Sequence, residues 1–151
     1  MKESQQYQKP VNILLVEDNP GDVRLTVEAL RESKVIAAMM VAQDGLEALD
    51  VLSQRPPFEH APCPDLILLD LNLPRMDGRE FLSIIKSDEK FKKIPVVILT
   101  TSSAEQDIVR AYNLHANCYI TKPVDLDQFI QVVKSIDDFW LTIVQLPHIA
   151  Y

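Results

Sequence analysis

Glycine is scarce in this chain of 151 residues. Gly21, Gly45 and Gly78 form neither a GxGxxG fingerprint nor a P-loop, so no backbone cradle for a nucleotide phosphate is written into the sequence. Cysteine is scarcer still. Cys63 and Cys118 stand far apart without CxxC or Cys/His ligand spacing, which excludes a disulfide framework and a zinc site and reads as two reduced thiols. No stretch approaches the ~20 apolar residues that a membrane span requires. Residues 1–10 are polar and lack the apolar core of a secretory signal, so they read as a flexible N-terminal arm on a cytoplasmic protein. Positive charge is also in deficit: 15 basic residues against 22 acidic ones leave a net charge of −7. The phosphate backbone repels such a chain, which argues against DNA or RNA binding. His60, His115 and His148 are isolated and read as surface or packing residues.

What is present is apolar and ordered. At 47% hydrophobic, the chain is long enough to close one core without disulfides or structural metals. Short apolar runs recur, of the kind found in strands buried on both faces of a parallel sheet: Val11 to Val16, Val35 to Val41, Leu66 to Leu69 within a strand from Asp65 to Asp70, Val96 to Leu99 in a strand opened by Pro95, and the shorter Cys118 to Thr121 in a strand from Asn117. Helical spacing lies between them, at Val23, Val27 and Leu30 after the Asn19-Pro20 start and at Leu46, Leu49 and Leu52 after Asp44-Gly45. It recurs at Phe81, Leu82 and Ile85 after Gly78, at Ile108, Ala111 and Tyr112 after Ser102-Ser103, and over Asp125 to Asp138. This (βα)5 alternation with right-handed crossovers predicts an α/β doubly wound, five-stranded parallel sheet, ordered 2-1-3-4-5. The loop from Arg55 to Pro64, with Pro56, Pro57, Pro62 and Pro64, is long for a compact domain and invites a functional reading.

Four of the runs end in chemistry. The first runs into Glu17-Asp18, the third into Asp70, the fourth into Thr100-Thr101, and the fifth into Lys122-Pro123. Strand ends at the carboxyl edge of an open α/β sheet are where ligands bind, so these groups are expected to converge. Asp70 is the candidate nucleophile, since a carboxylate can attack phosphorus and form an aspartyl phosphate. Crowded carboxylates raise one another's pKa, so Glu17, Asp18 and Asp70 coexist best around a cation, and Mg²⁺ (or Mn²⁺) suits one or two carboxylates plus phosphate oxygens. Lys122 supplies an ammonium and Thr100 a hydroxyl for the transferred group. Singly, each of these has a plain structural explanation, as a helix cap, a strand-end hydroxyl or a solvated charge. The Lys122–Pro123 bond, in a strand-to-helix turn, is expected to be cis.

Together Glu17-Asp18, Asp70, the Leu73-Pro74-Arg75-Met76-Asp77-Gly78 turn, Thr100, Tyr119 and Lys122-Pro123 resemble the receiver domain of two-component response regulators, over residues 11–138. The resemblance implies a flavodoxin-like fold and a phosphorylation switch that catalyses its own phosphorylation from a phosphohistidine and its own dephosphorylation. It implies that Asp18 binds the metal directly, Glu17 more through water, and the carbonyl of Asn72 as a further ligand. Thr100 and Tyr119 would be the switch pair that alters the surface of the fourth helix, fifth strand and fifth helix, and Asn72 and Ser102 would tune decay of the phospho-form.

Rival classes fare less well. A haloacid-dehalogenase-like phosphatase needs a second carboxylate two residues past the nucleophile, where Asn72 stands. A receiver-like binding module that works without phosphorylation is the alternative; it would typically lack Asp70 or Lys122. Residues 139–151 form an apolar C-terminal extension in which Phe139, Trp140, Leu141, Ile143, Val144 and Leu146 either cover the domain's own core or offer a homodimer or kinase surface. The Pro-rich loop and this ending resemble stand-alone response regulators of cyanobacterial phytochromes, which implies a light-regulated sensor histidine kinase as partner. Such a kinase would dock near the first helix, where Val23 and Val27 define one apolar stripe and Leu25 and Ala29 another. The sequence leaves open whether the output is a phosphorelay or direct allosteric binding.

Overall fold

Alternate residues of each apolar run point to opposite sides of one sheet, and both sides are covered. In a computed structural model that describes residues 11–31 and 37–147, the elements are β1 (Val11–Val16), α1 (Pro20–Arg31), β2 (Ala37–Ala42), α2 (Gly45–Leu52) and β3 (Leu66–Leu69), followed by α3 (Gly78–Lys86), β4 (Val96–Thr100), α4 (Glu105–Asn113), β5 (Cys118–Thr121) and α5 (Leu126–Ile136). The strands are parallel in the order β2-β1-β3-β4-β5, the flavodoxin-like arrangement expected. Leu14, Val16, Ile67, Leu69, Val96 and Ile98 pack with the buried faces of α2 and α3, and with Ala111 of α4. Ile13, Leu15, Leu66, Leu68, Val97 and Leu99 pack with Ala29 and Leu30 of α1 and with Phe129, Val133 and Ile136 of α5. All four residues of β3 are fully buried, each Leu or Ile contributing about 1.5–3 kcal/mol.

Helix starts are set by short polar side chains that accept from otherwise unpaired amides. Asn19 accepts from Asp22 N–H, Asp44 from Glu47 N–H, Asp77 from Glu80 N–H, and Asp125 from Asp127 and Gln128 N–H. Gly78 has a steric duty: a Cβ there would lie 2.2 Å from the carbonyl oxygen of Asp70, so only glycine lets α3 begin against the end of β3. The loop between them is tied down by Gly45 N–H donating to Met76 O at 2.9 Å and by Arg75 Nε donating to Asp44 Oδ2 at 2.6 Å.

Four expectations need revision or sharpening. The Lys122–Pro123 bond is trans; among the described residues only Pro56–Pro57 is cis. Lys122 N–H still pairs with Thr100 O at 2.6 Å, so the chain leaves β5 extended, with no reversal that would favour the rarer isomer. On α2 the buried face is Ala48, Val51 and Leu52, while Leu46 is exposed, because two residues along a helix turn the side chain about half a revolution away from Ala48. The second half of the Pro-rich loop is packed into the core through Ala61 and Cys63, and Gln54 Nε2 donates to Ala61 O at 2.9 Å. At the C-terminus α5 continues through Asp137–Ile143 as a wider π-helical turn, closed by Val144 N–H donating to Phe139 O at 2.9 Å. Trp140 and Leu146 pack on the α1/α5 core, whereas Phe139 is exposed and meets Trp140 edge-on at 5.6 Å. The proposed boundary at residue 138 thus falls inside continuous helix. The N-terminal arm at 1–10, the expected start of β2 at Val35 and Ile36, and the side chains of Leu141 and Ile143 lie outside the described ones.

Candidate functional site

The polar ends of β1, β3, β4 and β5 meet at the carboxyl edge. Their backbones are pinned by ladder bonds that run past the strands: Glu17 N–H donates to Ala42 O at 2.9 Å and Asp70 N–H to Val16 O at 3.0 Å. Glu17, Asp70 and Lys122 are buried, while Asp18 faces solvent. Carboxylate oxygens of Glu17, Asp18 and Asp70 lie within 4.8 Å of one another. Lys122 Nζ donates to Glu17 Oε1, to Asp22 Oδ2 at 2.8 Å and to Asp70 Oδ2 at 3.2 Å. The other oxygen of Asp70 accepts from Asn72 N–H at 3.3 Å.

Charge is poorly matched here. Burial, then repulsion from Asp70, pushes the Glu17 carboxyl up to about 7 even though Lys122 opposes the shift. Burial disfavours the Lys122 ammonium, yet its bonds to Asp22 and Glu17 overcome that and hold its pKa above the ordinary lysine value. One ammonium therefore faces the carboxylates of Glu17, Asp22 and Asp70, with Asp18 at the mouth. A hard divalent cation with oxygen ligands fits this surplus, and the exposed Asp18 leaves room for waters.

Thr100 is fully buried, and its Oγ1 has no hydrogen-bond partner among the described residues. An orphan hydroxyl of this kind costs about 1–3 kcal/mol and calls for a functional account. Beyond it, Ser102 is held at both ends: its hydroxyl donates to Asp107 Oδ2 at 2.6 Å, and its carbonyl accepts from Tyr119 Oη at 2.8 Å. Asp107 is in turn paired with Arg79 of α3 at 2.9 Å; Arg79, then the Ser102 bond, keeps its carboxyl below the usual range. Burial pushes the Tyr119 hydroxyl up. On the outer edge of β5, Tyr119 N–H donates to Tyr112 Oη of α4 at 3.1 Å.

The structure thus brings together Glu17, Asp18, Asp70 and Lys122, places Thr100 at the end of β4, and links Tyr119 to Ser102. Phe139, Trp140, Val144 and Leu146 lie in the C-terminal segment, well away along the chain. Asp22 was not anticipated. In the first turn of a helix, an acidic residue reads as a response to the helix dipole. Its one positional signal is that α1 starts directly from the acidic strand end. Asp107 and Arg79 were likewise invisible, being a contact between separate helices.

Comparison with known proteins agrees with this geometry. The response regulator receiver domain family matches residues 13–134. The chain is 46% identical over 144 residues to response regulator Rcp1 of Synechocystis sp., covering 95% of this chain and 98% of that protein. It is 39% identical to the probable methanogenesis regulatory protein FilR2 of Methanothrix harundinacea, covering 87% and 84%. Among solved structures, the phosphorylated cyanobacterial phytochrome response regulator RcpA superposes with a TM-score of 0.89 at 52% identity, covering 92% of this chain and 99% of that one. The Mn²⁺-bound form of Rcp1 gives a TM-score of 0.89 at 48% identity, covering 91% and 99%.

Proposed function

We propose how this chain works from one established premise: it belongs to the response regulator receiver family, and it is a signalling protein of a two-component system whose cofactor is Mg²⁺ or Mn²⁺. Asp70 is the acceptor. One of its oxygens attacks the phosphorus of a kinase phosphohistidine; the P–O bond forms, the P–N bond breaks, and the imidazole leaves with the electron pair and takes a proton from solvent. Glu17, Asp18, Asp70 and the Asn72 carbonyl would hold the cation, whose charge offsets the crowded carboxylates and the phosphoryl oxygens. Lys122 holds a phosphoryl oxygen by charge, and Thr100 donates its hydroxyl to another.

The observation that carries this reading is the buried, unpartnered Thr100 hydroxyl on the strand next to the acceptor's own. A phosphoryl oxygen gives it the acceptor that the protein withholds. Moving Thr100 moves Ser102, and Ser102 is bonded to the Tyr119 hydroxyl, so the change passes to β5 and to the α4–β5–α5 surface as a shift between two packings. Decay is attack of water on phosphorus with return of the oxygen to Asp70. Asn72 and Ser102 flank that path and neither is an acid; the Ser102 proton is committed to Asp107. The phospho-form therefore lasts longer than seconds under Mg²⁺.

We assign a phytochrome histidine kinase as donor on the strength of the relatives. A groove between α1 and α5, lined by Leu25, Glu28, Ala29, Ile130 and Lys134, with Val124 and Leu126 exposed just past Lys122, suits docking beside the site. The Leu25/Ala29 stripe is the one that lines it. Phe139, with Val144 half-buried nearby in sequence, supports a homodimer surface in the C-terminal segment. The acidic charge supports a protein that does not bind nucleic acid, and no helix among the described residues is long and apolar enough to cross a membrane. The test is intact mass after incubation with acetyl phosphate and Mg²⁺, beside Asp70→Asn. Gain of one phosphoryl group by the wild type alone is expected; no gain in either folded protein would favour the binding-module reading.

A further inference from the structure

We propose that Asp22 is a positioning residue that parks Lys122 toward α1 and competes with the phosphoryl group for its ammonium. This rests on the reading of Lys122 as a phosphoryl-holding residue. A lysine ammonium has three N–H donors, and here all three are spent, on Glu17, Asp22 and Asp70. The bond to Asp70 is the longest of the three at 3.2 Å, against 2.8 Å to Asp22. The ammonium is therefore drawn off the acceptor, toward Glu17 and the first turn of α1.

The three partners do not respond alike when a phosphoryl group arrives. Asp70 loses its charge when its oxygen bonds to phosphorus. Glu17 belongs to the acidic set that would hold the cation. Asp22 lies outside that set, so it goes on competing for Lys122 with no cation to share its charge. It is also the most readily released, with its side chain 28% exposed against 4% for Glu17 and 9% for Asp70, because water can replace the ammonium only where water can reach. Asp22 thereby sets how tightly Lys122 can grip a phosphoryl oxygen, and it does so from α1, the helix whose Leu25, Glu28 and Ala29 line the groove against α5.

The experiment titrates wild type, Asp22→Asn and Asp22→Glu with trifluoroberyllate in Mg²⁺, following occupancy by fluorine NMR, and in parallel measures phosphoryl uptake from acetyl phosphate by intact mass. Asn keeps the size and removes the charge; Glu keeps the charge. Asp22→Asn is expected to bind trifluoroberyllate about five- to tenfold more tightly and to take up phosphoryl groups faster, the scale expected for removing one partly screened charge beside the site. Asp22→Glu should stay within about twofold of wild type, as a charge effect requires. Equal or weaker binding by a folded Asp22→Asn overturns the proposal and leaves Asp22 as a pin for α1. A wild type that takes neither trifluoroberyllate nor a phosphoryl group overturns the acceptor reading itself, and the proposal with it.

Discussion

β3 and β5 carry the two halves of the same device and are built differently. β3 lies between β1 and β4, with all four residues fully buried, and it delivers Asp70. β5 lies at the sheet edge, paired only with β4; its first three residues are half-buried and its last is exposed, and it carries Tyr119 and delivers Lys122. In the proposed mechanism, the group that must be in place for bond formation would stand on the strand least able to move, and the group that reports the bond on the strand held from one side. Close-packed interiors resist small displacements, whereas half-covered edges can adopt a second packing at little cost. Lys122 belongs to both regions, since it follows the edge strand yet is buried among the carboxylates of the centre.

That contrast can be broken most sharply by truncation. Leu68→Ala in β3 is expected to cost about 2–5 kcal/mol in urea unfolding, and Ile120→Ala in half-buried β5 about half as much. Equal losses would mean that β5 is as firmly built as β3. Gly78→Ala drives a methyl into the Asp70 carbonyl, at an expected cost of about 1–3 kcal/mol with a further loss of phosphoryl uptake, read by denaturation and intact mass. Thr100→Val replaces an orphan hydroxyl with a methyl of the same shape, so the unphosphorylated protein should gain about 1 kcal/mol while the phospho-form loses its grip on the group. A variant less stable than wild type would show that the hydroxyl has a partner in solution.

The gentlest effect is a slope. Because the Glu17 carboxyl is raised from 4.5 to about 7, the folded chain holds its proton more tightly than the unfolded chain does. That stabilisation is complete below about pH 4.5 and is lost as the pH rises through about 7. In metal-free buffer Glu17→Gln should flatten this part of the stability profile, and an unchanged slope would point to another group.

What could be read from the sequence followed from locality. Strands appeared as apolar runs because both faces are covered, and Glu17, Asp18, Asp70, Thr100 and Lys122 stood out because each directly follows or ends such a run. Asp22 did not, since the ion pair to Lys122 joins residues a hundred positions apart and nothing in a helix's first turn announces it. The clamp of Arg75 on Asp44, and the chain from Arg79 through Asp107 to Ser102, are hidden for the same reason. The C-terminal segment was open to two readings because apolar residues at a chain end serve a core or a partner equally well; Trp140 and Leu146 serve the core, and Phe139 does not.

The bond from Tyr119 N–H to the Tyr112 hydroxyl has a bearing on how the protein behaves in a crowded solution. An edge strand offers its outward amides as a template on which any extended chain can pair, a route to unwanted ribbons of protein. Tyr112 stoppers one of those amides with a side chain from the neighbouring helix, at 3.1 Å. A phenol on α4 is thus a guard against aggregation at the sheet edge, and any movement of α4 that lifted it away would briefly unguard that edge.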